Sequence, residues 1–287
     1  MLIMKIAGHV LRRHRTWGSV RLVHQRLLAS FDFDHTILNG DCYETIESFL
    51  DPRYNRDELH SLKAQFGWMA YIECLLKTLQ EEQGVRVEEI AESVRKLRTM
   101  PGMECLLRRL EKRPETDLCI ISDANSYFIR QSLEANGLTD IFPPSRIFTN
   151  TANVLENGEL QLAPYEEQSH CDRCPANLCK GGIMAALMQC DQSQQSYDRI
   201  VYCGDGCNDL CPMLQLRPQD FACIRHGEEL HDRLSAHGGE IQAQVLIWRD
   251  GDDLQQQLEK AGCFESTFTS TSSSSSSTSS LSSSSSS

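Results

Sequence analysis

Apolar residues along this chain alternate between short continuous runs and longer stretches with helical spacing. Leu28–Phe33 is such a run and reads as a strand buried on both faces. Leu118–Ser122, Ile147–Thr149, Ile200–Cys203, Phe221–Ile224 and Val245–Trp248 repeat the pattern. Between them, Met103–Glu111, Tyr127–Asn136, Gly181–Met188 and Leu254–Leu258 carry the spacing of helices. Val154–Leu162 has Asn157-Gly158 at its centre, which predicts a hairpin. Short strands separated by helices predict an α/β fold, a Rossmann-like doubly wound parallel sheet covered on both faces.

One stretch breaks the alternation. Residues 42–100 are rich in helix formers, with apolar positions at helical spacing around Ile46, Phe49 and Leu50, and again around Tyr71, Leu75 and Leu79. Pro101-Gly102 closes the block. It is too long for a simple crossover and reads as an inserted, mainly helical cap. The core would then comprise residues 27–41 and 101–262. A basic extension, 1–26, precedes it, and a Ser/Thr-rich segment, 263–287, follows. That segment is too poor in apolar residues to pack and is expected to be disordered.

The formal net charge of -12 argues against a general nucleic-acid binder, because the chain has no basic surplus to replace counterions. No apolar stretch approaches the roughly 20 residues that a membrane helix needs. The 13 cysteines are odd in number and scattered over strands and helices, which fits reduced intracellular thiols. A cytoplasmic location follows. Residues 1–31, however, hold no Asp or Glu but do hold Lys5, Arg12, Arg13, Arg15, Arg21 and Arg26, so a mitochondrial targeting segment is the alternative.

In a parallel sheet, ligands bind beyond the carboxyl ends of the strands. After the first strand come Asp32, Asp34 and Thr36; after the second, Ser122, Asp123 and Asn125. After the fourth come Gly204, Asp205, Gly206, Asn208 and Asp209, and Lys180 opens a helix between them. Asp32 and Asp34 lie on one face of an extended chain. Paired carboxylates in apolar surroundings require a cation or a proton. Carboxylates with waters suit Mg2+, a lysine offsets phosphate charge, and a serine hydroxyl can donate to phosphate oxygens. The pattern is that of phosphoryl transfer through an aspartyl-phosphate.

Asp32-Phe33-Asp34-His35-Thr36, Ser122, Lys180 and Gly204-Asp205-Gly206-Cys207-Asn208-Asp209 resemble the four motifs of the haloacid dehalogenase-like phosphatases. Ile121-Ser122-Asp123-Ala124-Asn125 and the block Cys171–Lys180 are similar to the phosphoethanolamine/phosphocholine phosphatase branch, which includes a relative acting on pyridoxal phosphate. The resemblance implies Asp32 as nucleophile and Asp34 as acid/base. It implies Mg2+ held by Asp32, the main-chain carbonyl of Asp34 and Asp205, with Asp209 supporting the metal. Ser122 and Lys180 would hold phosphate, and Asp123 would face the substrate head group. The expected partner is a small phosphate ester.

The branch usually carries a second substrate carboxylate eleven residues after the nucleophile, where this chain has Tyr43. Asp41 or Glu44 could supply that charge, or Tyr43 could stack on a ring or meet a cation. His170, Cys171, Cys174 and Cys179 could form part of a zinc site or a reduced structural loop. Two other functions fit the same motifs: a phosphotransferase with a different acceptor, and a catalytically inactive phosphate-ligand-binding homologue.

Overall fold

The computed structural model describes residues 20–23, 25–189, 196–264 and 267–270. β1 (Val20–Val23) and the last strand, β9 (Thr267–Ser270), pair antiparallel with Leu22 opposite Phe268. This ribbon is a unit of its own. A strand at Thr267–Ser270 departs from the disorder expected after residue 263; its Thr and Phe residues favour an extended chain. The rest of the Ser/Thr-rich segment and most of the basic extension, including the targeting reading, lie outside the described residues.

The second unit, residues 25–265, holds a seven-stranded sheet. Its strands are β2 (Leu27–Phe31), β3 (Thr116–Asn125), β4 (Ile147–Val154), β5 (Leu160–Ala163), β6 (Arg199–Gly204), β7 (Phe221–Arg225) and β8 (Gln244–Trp248). Their order is β5-β4-β3-β2-β6-β7-β8. All neighbours are parallel except β4 and β5, which form the expected hairpin. Gly158, at φ 85°, supplies its left-handed turn residue.

The order explains where the site sits. The chain leaves β2 outward to β3 and β4, then returns to the other side of β2 with β6. The switch point is therefore the carboxyl end of β2, where crossovers diverge and leave a crevice. Residues 27–31 are all buried, and successive side chains feed opposite cores. Leu27, Ala29 and Phe31 pack with the cap and with α5 (Met103–Glu111), α6 (Ser126–Ala135) and α10 (Gly251–Lys260). Leu28 packs on the other face with α7 (Lys180–Gln189), α8 (Leu210–Met213) and α9 (Glu229–His237). Truncating a core aromatic such as Phe31 to Ala would cost about 3–5 kcal/mol. The helix α9 was not apparent from periodicity, since Leu230 and Leu234 are its main apolar contacts with that core. Cys263 is fully buried and Phe264 packs beside it, so the core runs slightly past residue 262.

The inserted block is helical: α1 (Cys42–Glu47), α2 (Arg56–Phe66), α3 (Trp68–Lys77) and α4 (Val87–Arg95). Its two ends meet as a short antiparallel stem at Leu38 and Thr99. Asn39 N–H bonds Arg98 O at 2.9 Å and Met100 N–H bonds Ile37 O at 2.8 Å. Among the described residues, no helix is long and apolar enough to cross a membrane.

Candidate active site

Asp32 follows directly on β2, and its N–H bonds Cys203 O of β6 at 2.9 Å. The residue is 8% exposed. Oδ1 accepts the Phe33 N–H at 2.7 Å, and Oδ2 lies 2.8 Å from Lys180 Nζ. Lys180, the first residue of α7, has no exposed surface. Burial alone would lower the lysine pKa, but Asp209 and Asp32 reverse that and hold the ammonium charged, above its ordinary value.

Asp209 is the hub of the β6 loop. Oδ1 accepts from Lys180 Nζ at 2.8 Å and from the Tyr202 hydroxyl at 2.7 Å. Oδ2 accepts the N–H groups of Asp205 and Gly206, each at 3.0 Å. Gly204 makes this possible: a Cβ there would stand 2.3 Å from the Asp209 carboxyl carbon. With four donors in place, Asp209 orients Lys180 and the loop, and gives up bonds if it is to ligate a metal itself.

Asp205 receives Thr36 Oγ1 at 3.1 Å. Single carboxylate oxygens of Asp32, Asp205 and Asp209 lie within 4.8 Å of one another. Burial pushes Asp32 up to about 7, against the pull of Lys180. Burial, then the charges of Asp32 and Asp209, push Asp205 up to about 9. The donors are all oxygens, and the negative charge exceeds what Lys180 offsets. That combination fits a hard divalent cation.

Asp34 turns beside the cap entry, where Oδ1 accepts the Cys42 N–H at 3.0 Å. Burial, reinforced by Asp41, raises its carboxyl well above the usual range, which favours the protonated form. His35 holds the turn at φ 52°, a left-handed conformation that histidine tolerates better than branched residues. Ser122 is buried with its Oγ accepting the Ala124 N–H at 3.1 Å. Between Ser122 and Asn125 the register with β4 slips, a bulge that re-aims the strand end toward the crevice. Asp123 Oδ1 accepts from Asn177 Nδ2 at 3.1 Å and Oδ2 from Asn208 Nδ2 at 2.6 Å.

These residues open on a cavity of about 480 Å³, within the roughly 300–1,000 Å³ typical of small-molecule sites. Core walls come from Asp32, Asp34, Asp41, Ser122, Asp123 and Asp205, and the cap adds Lys63 and Trp68. Trp68 Nε1 also bonds the Asp123 carbonyl at 3.1 Å, tying cap to core.

A family described as "Putative Phosphatase" matches residues 27–261. This chain belongs to that phosphatase family. It is 35% identical over 240 residues to the human pyridoxal phosphate phosphatase PHOSPHO2, covering 82% of this chain and 98% of that protein. Against the human phosphoethanolamine/phosphocholine phosphatase it is 30% identical over 241 residues, with 82% and 89% covered. A phosphoserine phosphatase solved as a phospho-aspartyl intermediate analogue superimposes with a TM-score of 0.51 at 16% identity, covering 82% of this chain and 98% of that one. That likeness shows the haloacid dehalogenase-like fold.

In this phosphatase, Tyr43 does not line the cavity, contrary to the reading of it as a substrate contact. It is 2% exposed, edge-on to Trp68 and Phe128, and its hydroxyl accepts from Asn125 Nδ2 at 3.0 Å. Asp41 caps α1 by accepting the Tyr43 and Glu44 N–H groups, and the first helical turn then carries residue 43 into the core. Asp41 stays at the cavity wall, while Glu44 is exposed and 3.9 Å from His35. Asn208 is one of the residues read after the fourth strand, and Asn177 lies inside the Cys171–Lys180 block without a role of its own; Trp68 and Lys63 went unrecognised in the sequence.

Proposed function

We propose that this chain is a Mg2+-dependent phosphatase that hydrolyses small phosphomonoesters through an aspartyl-phosphate on Asp32. One observation carries the reading. The carboxylate of Asp32 lines a cavity of small-molecule size with Lys180 on one oxygen, Asp205 beside it and Asp34 two residues on.

Asp32 attacks phosphorus as the ester oxygen departs, and Asp34, held beside the cap entry, gives that oxygen its proton. A water then surrenders a proton to Asp34 and attacks phosphorus, which releases phosphate and restores Asp32. Ser122 Oγ donates to a phosphate oxygen. Lys180 orients Asp32 and offsets charge, and Asp209 fixes Lys180. Asp32, Asp205 and the Asp34 carbonyl would hold Mg2+, which when bound neutralises charge on nucleophile and phosphate.

For substrate, we propose pyridoxal 5'-phosphate or phosphoethanolamine/phosphocholine. Asp41, Asp123 and Glu229 also line the cavity, which suits a cationic or amine-bearing head group, and Trp68 adds an aromatic wall. Release of phosphate from these three esters and from pyrophosphate, measured as kcat/KM with Mg2+ and with chelator, tests both parts. The expected result is one small ester preferred by about 100-fold or more over a generic aryl phosphate, with activity lost on chelation. No release from any ester would reject the phosphatase reading, and transfer to an alcohol acceptor in place of water would redirect it to a phosphotransferase.

A further inference from the structure

Four cysteines from two crossovers converge beside the candidate active site. The sulfurs of Cys171, Cys174, Cys179 and Cys211 all lie within 4.8 Å of one another. The Cys171 and Cys211 sulfurs are 3.6 Å apart, well beyond the roughly 2.05 Å of a disulfide, and all four cysteines are free. A tetrahedral tetrathiolate zinc site with Zn–S bonds of about 2.3 Å would place its sulfurs about 3.8 Å apart. We propose that these four cysteines bind one structural zinc ion.

Backbone N–H groups frame the sulfurs. Cys174, Cys179 and Cys211 are 8%, 2% and 7% exposed, and Cys171 is half-buried at the rim of the cluster. The N–H of Gly182 points at Cys179 Sγ at 3.3 Å, and the N–H groups of Lys180 and Gly181 bond Cys174. These N–H groups belong to the first turn of α7, which favours negative charge. Gly181 also admits Cys211, whose sulfur would stand 2.4 Å from a Cβ at that position.

The loop that presents the first two cysteines is framed by Gln168. Its side-chain amide Nε2 donates to the carbonyls of Cys171, Cys174 and Pro175 at 3.1, 3.1 and 2.9 Å. Its Oε1 accepts the N–H groups of His170 and Cys171 at 3.1 and 2.9 Å. His170, a candidate ligand from the sequence, is exposed, and Cys211 takes the fourth position instead. With Cys211, the cysteines at 171, 174 and 179 become a set of four thiol donors.

The site has a purpose in the fold. Cys179 immediately precedes Lys180, and Cys211 lies two residues after Asp209. A zinc ion would staple the two chain segments that carry the buried Lys180–Asp209 pair. Four thiols lose their protons on binding, and the resulting negative cluster rests on the α7 amides.

The full chain, purified without added metal and dialysed against chelator, should retain about one zinc per chain by mass spectrometry of the metal. Cobalt exchanged into the site should show the visible bands and sulfur-to-metal charge transfer of a tetrahedral tetrathiolate. Cys211→Ser should cut zinc content at least about tenfold, while Cys105→Ser, at an exposed position, should leave it unchanged. Zinc-free wild-type protein that takes up none when reduced, iron in place of zinc, or disulfides among these residues would each overturn the proposal. None of these readouts depends on turnover, so the zinc site and the phosphatase reading stand or fall separately.

Discussion

Lys180 and Asp209 form an ion pair at 2.8 Å in which neither side chain exposes any surface. Such a pair is costly to break, since removing one partner strands the other charge away from water. Lys180→Met should therefore lower unfolding free energy by about 3–5 kcal/mol, read by urea denaturation. Lys180→Arg should not rescue it, because a wider guanidinium has no room in a fully buried slot between Asp32 and Asp209. Near-native stability of Lys180→Met would contradict the pairing.

Asp32→Asn keeps the shape of the nucleophile and removes its charge. Turnover should fall on the order of 10⁴-fold or more while the protein stays folded. The Lys180–Asp209 contact remains in the variant, so circular dichroism and the thermal midpoint should change little. Retained turnover would refute the assignment of Asp32.

Divalent metal and pH should act on stability together. Burial raises Asp32 and Asp205 from the ordinary 3.8 to about 7 and about 9. A raised folded pKa means that the folded state holds these protons more tightly than the unfolded chain does. Their contribution is thus present at low pH and is lost as pH climbs from about 4 through about 9. A cation replaces those protons. Mg2+ at about ten times its Kd should raise the Tm by about 3–5 °C near pH 8 and by much less near pH 5. An increment independent of pH would count against these carboxylates as the metal site.

Tyr43→Phe separates the two placements of that residue. Deleting the hydroxyl leaves the Asn125 amide, itself fully buried, short of an acceptor. The expected cost is about 1–3 kcal/mol of stability, with KM unchanged within about twofold. A tenfold rise in KM without loss of stability would return Tyr43 to the substrate.

The legibility of this site in the sequence follows from topology. Asp32, Asp34, Ser122, Lys180 and Asp205 each sit at the end of an apolar run or the start of a helix, and a parallel sheet gathers such ends in one crevice. Tyr43 misled because a count of residues from Asp32 carries no information on which way a helical turn points its side chains. The Asp41 cap sets that direction, and it is a local hydrogen-bond choice. Cys211 was invisible beside Cys171–Cys179 because its proximity is made by packing of α7 on α8, across a distance in sequence that spacing rules do not span. Trp68 reaches the cavity from the cap, whose docking on the core no local pattern encodes.

The glycine at 204 and the carboxylate at 209 leave a trace that could be read in descendants of this chain. No side chain fits at 204 while the carboxylate occupies its place, and the three atoms nearest to the missing Cβ all belong to Asp209. A lineage that abandoned catalysis and lost Asp209 would release Gly204 from its constraint, so both positions should drift together. The pair thus offers a test for a silenced copy that needs only its gene: an intact glycine beside an intact carboxylate marks a site still under selection for its geometry.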